Sequence, residues 1–274
     1  MIRLSHAALV FRKDWVEFRR NRQVLVPSII VPIIFAVILP LVALLPTLAI
    51  PTQASSTGLM GVLPSYPDSV KSEIAKMTGQ QAIIYLISLY LFAPIFLIIP
   101  IMASSVIASD SFAGEKERRT IEALLATPLS ESEMLLGKML VAFIPAVIVT
   151  ITSFVTYAAI LDYLTIGIFN GRLLLPNPIW LMLIFGLSPA LAFADIGLTV
   201  LISTRAKGVR EAQQISAVLL VPIVAAVLQQ TSGTSALDWN LLATLTLLLI
   251  GADFAIFVAS IKIFGRNKIL MQLA

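Results

Sequence analysis

The sequence contains no cysteine and a single histidine, His6, which stands close to the N-terminus. Without cysteine the chain has no disulfide framework, no thiol nucleophile and no thiolate ligand for a metal. One histidine cannot build a histidine cluster around a metal, and no Ser-His-Asp arrangement is available within the apolar part of the chain. These absences exclude most enzyme classes, so we expect a chain that is not an enzyme and holds no metal or cofactor.

Charge is scarce as well, since charged residues make up 12% of the 274 residues while hydrophobic residues make up 58%. The mean hydropathy of +0.97 lies far above that of an average soluble domain. A bilayer core about 30 Å thick requires roughly 20 apolar residues in a helix. Six long apolar runs meet this need, at residues 24–50, 82–108, 139–161, 179–203, 213–229 and 241–264. The sequence therefore predicts an all-α polytopic membrane protein in which residues 1–274 form one domain with six transmembrane helices.

Lysine and arginine are nearly missing from one side of the predicted membrane. All of the 19 except Lys71, Lys76 and Arg172 lie before the first run, at the end of the last run, or in the two connections on that same side. Short cytoplasmic loops retain such residues and translocated loops do not. We therefore expect a multi-pass protein of the cell membrane with both termini in the cytoplasm. The net charge of +4 follows from this topology and requires no nucleic-acid partner.

Residues 3–22 combine cations with apolar residues at helical spacing. Phe11, Trp15 and Phe18 recur every three or four positions, with arginine and lysine between them. This pattern predicts an amphipathic helix that lies in the cytoplasmic interface, with its rings at the headgroups and its cations toward anionic lipid. A simple positively charged anchor for the first span is the alternative, and both interpretations can hold together.

The segment SDSFAGEKERRTIEALLATPLSESEMLLGK, residues 109–138, is unusually polar for a connection between two apolar runs. A helix-favouring stretch follows Gly114 and ends near Pro128, because a proline disfavours helix at the residue before it. Glu115 is placed to pair with Arg119 at a spacing of four residues. An apolar patch on the same stretch consists of Ile121, Leu124 and Leu125. These features predict a short amphipathic helix between the second and third runs.

A second helix is predicted to begin directly after this break. Ser130 and Glu133 have the spacing of a capping box, in which each side chain satisfies a backbone N–H of the other. The helix then continues through Gly137 and Lys138 into the third run. A purely solvated linker would need neither the apolar patch nor a capped restart. We therefore predict a helix, a break and a second helix on the cytoplasmic face.

The run GEKERRTIEALLATPLSESEMLLGK resembles the segment that follows the second span in ABC-2 type transporter permeases. The shared features are the Glu-Lys-Glu-Arg start, the Thr-Ile-Glu-x-Leu-Leu core, the Thr-Pro and the closing Gly-Lys. The amphipathic N-terminal segment and the six-span layout are similar to that family as well. The resemblance implies a permease subunit of an ATP-driven transporter, more often an exporter than an importer.

The same resemblance implies that the segment is a coupling helix seated on a separate ATP-binding subunit. Carried over to matching positions, the interface would comprise Glu115, Glu117, Arg118, Arg119, Thr120 and Glu122. Two ATP-binding subunits and a second permease, identical or related, would complete the transporter. The ATP-binding subunits would bind ATP and Mg, because the pair Gly137–Lys138 is not part of a G-x-x-x-x-G-K-[ST] phosphate-binding loop.

Two acidic residues, Asp195 and Asp253, lie inside the fourth and sixth runs. Each costs about 2.5 to 3.5 kcal/mol in a membrane helix if it is ionised and unpaired, so each is expected to face protein or water. One interpretation is a polar pathway lining or a site for a cation or proton, and the other is a hydrogen-bonded helix contact. The first supports an alternative function, a secondary transporter driven by an ion gradient. That class often shows an internal repeat, and we find none here.

Overall fold

The computed structural model describes residues 4–49, 66, 68–118, 129–203, 206, 208–231 and 238–263. Within these ranges the chain forms eight helices and no strand. In chain order they are α1 (Leu4–Arg20), α2 (Arg22–Leu48), α3 (Asp68–Ile74), α4 (Gly79–Glu117), α5 (Glu131–Thr165), α6 (Pro178–Ser203), α7 (Val209–Gln229) and α8 (Trp239–Lys262). All of these except α1 and α3 are long and apolar enough to cross a membrane. Each of those six helices overlaps one predicted run, so the prediction of six candidate spans is confirmed.

Two of the spans are longer than a bilayer requires. Helix α4 has 39 residues and α5 has 35, which at 1.5 Å per residue corresponds to lengths of about 58 and 52 Å. The hydrocarbon core is about 30 Å thick, so both helices extend beyond it. The end of α4 and the start of α5 carry most of the charged residues of the segment 109–138. With α1 and the start of α7, they form what we call the charged end of the bundle.

The end of α4 differs from the prediction. The sequence places the end of the second span at residue 108 and a new helix after Gly114, whereas the structure has one continuous helix through Glu117. Residues Asp110–Gly114 keep the helix but adopt π-type hydrogen bonding. Polar residues can continue this helix because α1 covers them, as described below. The centre of the predicted coupling helix, residues 119–128, lies outside the described residues.

Local capping signals fix where the helices begin. Helix α5 starts with the predicted capping box, in which Ser130 Oγ accepts from the backbone N–H of Glu133 and the Glu133 side chain accepts from that of Ser130. Thr78 and Gln81 form the same arrangement at the start of α4. Asn177 caps α6, ahead of a proline in its first turn. The capping box predicted at Ser130 is therefore confirmed.

Helices α4, α5 and α6 form the centre of the bundle. In their apolar parts 67%, 56% and 61% of the residues are buried, compared with 22% for α2 and 17% each for α7 and α8. Trp180 of α6 is fully buried, stacks on Tyr157 of α5 at 5.1 Å between ring centroids, and donates from Nε1 to the carbonyl of Leu89 at 3.0 Å. Closer to the charged end, the small residues Ala103, Ala146 and Ala192 pack together. The charged end therefore rests on a rigid three-helix core.

Candidate functional site

Helix α1 packs against α5 at Gly137. A Cβ atom at this position would lie 2.7 Å from the carbonyl oxygen of Ala7 and 2.7 Å from Cβ of Val10. Ala7 and Val10 are both buried, so the contact lies on the inner face of α1. Because a backbone oxygen cannot move aside cheaply, only glycine permits this approach of the two helices. Gly137 thus sets the distance between α1 and α5.

The next residue, Lys138, joins three helices by ion pairs. Its Nζ lies 2.8 Å from Oε2 of Glu115 in α4 and 3.1 Å from Oδ2 of Asp14 in α1. It also donates to the carbonyl of Ser111 at 2.9 Å. The side chains of Lys138, Glu115 and Asp14 have 0%, 3% and 5% of their surface exposed. This is a buried ion-pair site, in which each charge is stable only while its partners are present.

Lys13 supplies the second cation. Its Nζ lies 2.8 Å from Oε1 of Glu115, 3.0 Å from Oδ1 of Asp14 and 3.7 Å from Oε2 of Glu17. Burial lowers the pKa of Lys13, but the hydrogen bond to Glu115 and the charge of Asp14 raise it by more, so the net pKa lies above its ordinary value. Lys13 is therefore positively charged at neutral pH. We call Lys13, Asp14, Glu115 and Lys138 the buried charge cluster, in which Lys13 is half exposed and the other three side chains are buried. Its two cations balance its two carboxylates.

Polar contacts at the rim attach α1 at two further places. The Arg118 guanidinium contacts Oδ1 of Asp110 at 3.0 Å and Oε1 of Glu17 at 3.2 Å. Asn21, at the end of α1, donates to the other carboxylate oxygen of Asp110 at 3.1 Å. At the opposite end of α1, Nδ1 of His6 lies 3.1 Å from Oε2 of Glu133, within the capping box of α5. Helix α1 is thus held to α4 and α5 along its whole length.

Three of these carboxylates, on Asp14, Glu17 and Glu115, lie close enough to hold a metal ion, with oxygens within 4.8 Å of one another. The ammonium of Lys13 stands between them, within 3.7 Å of an oxygen of each. A metal ion would have to displace that ammonium, which is already paired with the same oxygens. The arrangement therefore serves as a set of ion pairs between helices.

The structure places the predicted interface residues in different environments. Glu115 is buried in the charge cluster, and Lys13 and Lys138 are its partners there; Arg119, its predicted partner, lies outside the described residues. Glu117 and Arg118 are exposed. The remaining predicted interface residues, Thr120 and Glu122, also lie outside the described residues. Glu115 is therefore placed to hold the segment from inside, while Glu117 and Arg118 present charge on the surface.

Sequence reasoning missed Lys13 and, with it, the pair of Asp14 and Lys138. The two residues of the pair stand 124 positions apart, and the spacing of residues within one helix cannot reveal such a pair. One sequence feature could have indicated Lys138, because this residue stands directly before a long apolar run and is adjacent to Gly137 in the closing Gly-Lys pair. Both residues of that pair contact α1, one by close approach and the other by charge. The Gly-Lys pair therefore forms a docking point for the N-terminal helix.

The two aspartates inside the membrane spans have different surroundings. Asp195 of α6 is fully buried, and Ser104 of α4 donates from Oγ to its Oδ2 at 2.6 Å. Asp253 of α8 is buried near the bundle surface, and its Oδ1, like Oδ1 of Asp195, has no hydrogen-bond partner among the described residues. Within the described residues, no hydrogen bond joins the two aspartates. Asp195 thus forms a polar contact between two central helices.

A groove of about 840 Å³ opens at the charged end, between α2, α4 and α7. Its walls carry charge of both signs, from Asp110, Glu117, Arg118, Arg210 and Glu211. It lies beside the buried charge cluster, since Asp110 and Arg118 belong to both the groove and the rim contacts. The charged end therefore combines a charge cluster whose cations and carboxylates balance with a polar surface groove.

Six apolar helices, three of which form the centre of the bundle, and an N-terminal helix packed at one end define a multi-pass α-helical membrane protein. The family model of the ABC-2 family transporter protein matches residues 8–237, from α1 to beyond α7. The chain therefore belongs to the ABC-2 transporter family, as the charged segment predicted. A comparison with curated proteins finds no match. Membrane proteins of this family are typically non-catalytic and generally act with an ATP-binding partner.

Proposed function

We propose that this chain is the permease subunit of an ATP-driven exporter, and that its charged end receives a separate ATP-binding subunit in the cytoplasm. The observation that carries the proposal is the buried charge cluster, which joins α1, α4 and α5 at the point where the charged segment leaves the bundle. Export rather than import rests on the resemblance of the segment to the family. We place two permeases, identical or related, with two ATP-binding subunits, which bind ATP and Mg.

The cluster gives this segment the mechanical property that coupling requires. Glu115 lies just before the connection between α4 and α5, and Lys138 lies just after it, so both ends of the connection are tied to each other and to α1. A displacement of the connection would therefore move the three helices together, because bending it alone would separate buried charges. Closure of the ATP-binding subunits would then reach the membrane as a rigid-body movement.

The outer face of α1 is suited to the cytoplasmic membrane interface. Leu9 and Val16 are exposed, with 63% and 46% of their surface accessible, although both are apolar. Exposed Arg12, Arg19 and Arg20 lie near them, as expected of a helix that contacts lipid headgroups with cations and the acyl boundary with apolar side chains. Because the inner face of α1 is fixed by the charge cluster, we propose that the helix rests on lipid while it moves with α4 and α5. Both termini are then cytoplasmic.

The alternative of a gradient-driven secondary transporter would assign transport to Asp195 and Asp253. The hydrogen bond from Ser104 gives Asp195 the partner that a helix contact needs, so we assign it to packing between α4 and α6. A secondary transporter also leaves the charged segment without a role. We therefore retain the ATP-driven permease as the function that the geometry supports best.

Co-purification tests this function, and a charge reversal tests the interface. The permease is expressed with an ATP-binding subunit, and the recovered complex and its ATP hydrolysis in lipid nanodiscs are measured. The double variant R118E/R119E is expected to lose at least about tenfold in complex recovery, because charge pairs across an interface set partner choice. The matched control is R172E, since Arg172 also pairs with an acid, Glu73 at 3.4 Å, but on the opposite end of the bundle.

The outcomes separate the two parts of the proposal. If R118E/R119E binds the ATP-binding subunit and hydrolyses ATP as the wild type does, the interface assignment is wrong. If the wild-type permease is stable and binds no ATP-binding subunit of its own genome, the proposed function itself is wrong. Because Arg118 also contacts Asp110 and Glu17, the variant R118Q is included to separate the loss of those contacts from the reversal of charge.

A further inference from the structure

Helix α7 begins with a cap that comes from another helix. Its first residue, Val209, donates its backbone N–H to Oε2 of Glu117 at 3.1 Å, and Glu117 is the last residue of α4. The residue before α7, Gly208, has extended backbone angles and no side chain with which to cap the helix. The first turn of a helix has unpaired N–H groups and the positive end of the helix dipole. The carboxylate of Glu117 satisfies both needs from outside α7.

Neighbouring residues strengthen this contact between α4 and α7. A Cβ atom at position 208 would lie 2.7 Å from Oε2 of Glu117, so a glycine there leaves room for the carboxylate. Lys116 donates from Nζ to the carbonyl of Ala206 at 3.3 Å. Beneath these polar contacts, Ala113, Ala206 and Ala212 form a small buried cluster. The end of α4 therefore holds the connection between α6 and α7 by several independent contacts.

Further along, α7 contacts the bundle through a 2.8 Å hydrogen bond between Ser216 and Thr199 of α6 and through the buried Ile223, but most of the helix is uncovered. Only 17% of its apolar part is buried within the chain, compared with 67% for α4. Apart from the buried Ala212, Ser216 and Ile223, most of its surface faces outward, as exposed Val218, Val221 and Val224 indicate. A helix with so few buried contacts takes its position from the few places where it is fixed. The contact with Glu117 is one of those places.

We propose that Glu117 is a positioning residue that makes the fifth span, α7, move as one body with the connection between α4 and α5. The inference rests on the proposed function, since that connection is the place where the ATP-binding subunit acts. It adds a second route for the movement, directly from the end of α4 into α7 without passage through α6. Exposed Glu117 then acts within the permease, through the start of α7, as well as on its surface.

Spin labelling measures this directly, because the natural chain contains no cysteine. Cysteines replace Ala8 on α1 and Gln214 on α7, two exposed positions, and the distance between the labels is recorded in nanodiscs. Helix α1 reports the α4–α5 connection because the charge cluster ties them together. In the complex with the ATP-binding subunit, the wild-type distance distribution is expected to be narrow, and its mean is expected to be the same with and without ATP.

Three variants and one control then probe the contact itself. E117A removes the cap and is expected to broaden the distance distribution about twofold, because the start of α7 is released. G208A keeps the carboxylate but displaces it with a Cβ atom, so it is expected to have the same effect from the other side. E117Q retains an acceptor oxygen and is expected to restore a narrow distribution. D68N, which alters an exposed acid at the opposite end, is the control for general effects.

Two results would overturn the proposal. One is a narrow, wild-type distribution in both E117A and G208A, which would show that Glu117 does not position α7. The other is a wild-type distance that changes on addition of ATP, which would show that α7 and the connection move separately. Failure of the proposed function is recognised independently, since no ATP-binding subunit would then bind while the variant series on the permease alone still reports on Glu117.

Discussion

Replacing Lys138 with methionine tests whether the buried charge cluster holds the charged end together. The substitution keeps an unbranched side chain but removes the cation that lies 2.8 Å from Glu115 and 3.1 Å from Asp14. Loss of one partner from a buried ion pair costs about 3 to 5 kcal/mol, because the remaining charge is left without compensation. Lys13 still contacts both carboxylates, so we expect the lower value, about 3 kcal/mol.

This loss is large enough to measure by thermal unfolding of the purified permease, followed through the fluorescence of its three tryptophans. For a chain of this size, 1 kcal/mol shifts Tm by about 2 to 4 °C, so K138M is expected to lower Tm by about 6 to 12 °C. The control is K71M, since Lys71 pairs with Asp68 at 3.1 Å but on the surface. A surface pair contributes about 1 kcal/mol or less.

A second variant identifies the cause of the effect. K138M/E115Q removes one cation and one carboxylate, so the double variant is expected to lose less stability than the sum of the two single variants, by about 1 to 3 kcal/mol. A Tm of K138M within about 2 °C of the wild type would refute the reasoning. Strict additivity of the two substitutions would do so as well, because it would mean that the side chains are not coupled.

Three further outcomes follow from contacts described above. G137A is expected to lower the free energy of unfolding by about 1 to 3 kcal/mol, because its Cβ would meet the backbone of α1. The second readout is faster proteolysis within α1, and an unchanged proteolysis rate would contradict the prediction. S130A is expected to cost about 1 kcal/mol through loss of the cap of α5, seen as a lower Tm. D195N is expected to leave Tm and ATP hydrolysis unchanged, since an amide still pairs with Ser104; lost activity at unchanged Tm would instead favour a cation or proton site.

The six spans could be predicted from sequence because the bilayer sets a local requirement, a minimum length of apolar helix. The capping box of α5 could be predicted for the same reason, since Ser130 and Glu133 are three residues apart. The buried charge cluster could not, because Asp14 meets Lys138 only after α1 has folded back onto α5. Spacing within one helix predicted Arg119 as the partner of Glu115. In the structure two partners of Glu115 are Lys13 of α1 and Lys138 of α5.

The same limit explains the longer α4. Polar residues from Asp110 to Glu117 suggested that the span had ended, since a helix exposed to lipid would not tolerate them. In the structure, Lys13 of α1, Asn21 just after α1 and Lys138 of α5 pair with these side chains, so the helix continues. Whether a charged stretch ends a helix or extends it therefore depends on helices that lie elsewhere in the sequence.

The docking point of α1 also orders the assembly of the protein. Helix α1 is synthesised before the residues that hold it, since Gly137 and Lys138 emerge from the ribosome more than a hundred residues later, given the 124 positions that separate Asp14 from Lys138. Until α5 has been made, Asp14 lacks its partner Lys138, and α1 can contact the membrane surface and the end of α4 but not α5. The contacts that fix α1 are therefore complete only after α5 has been synthesised.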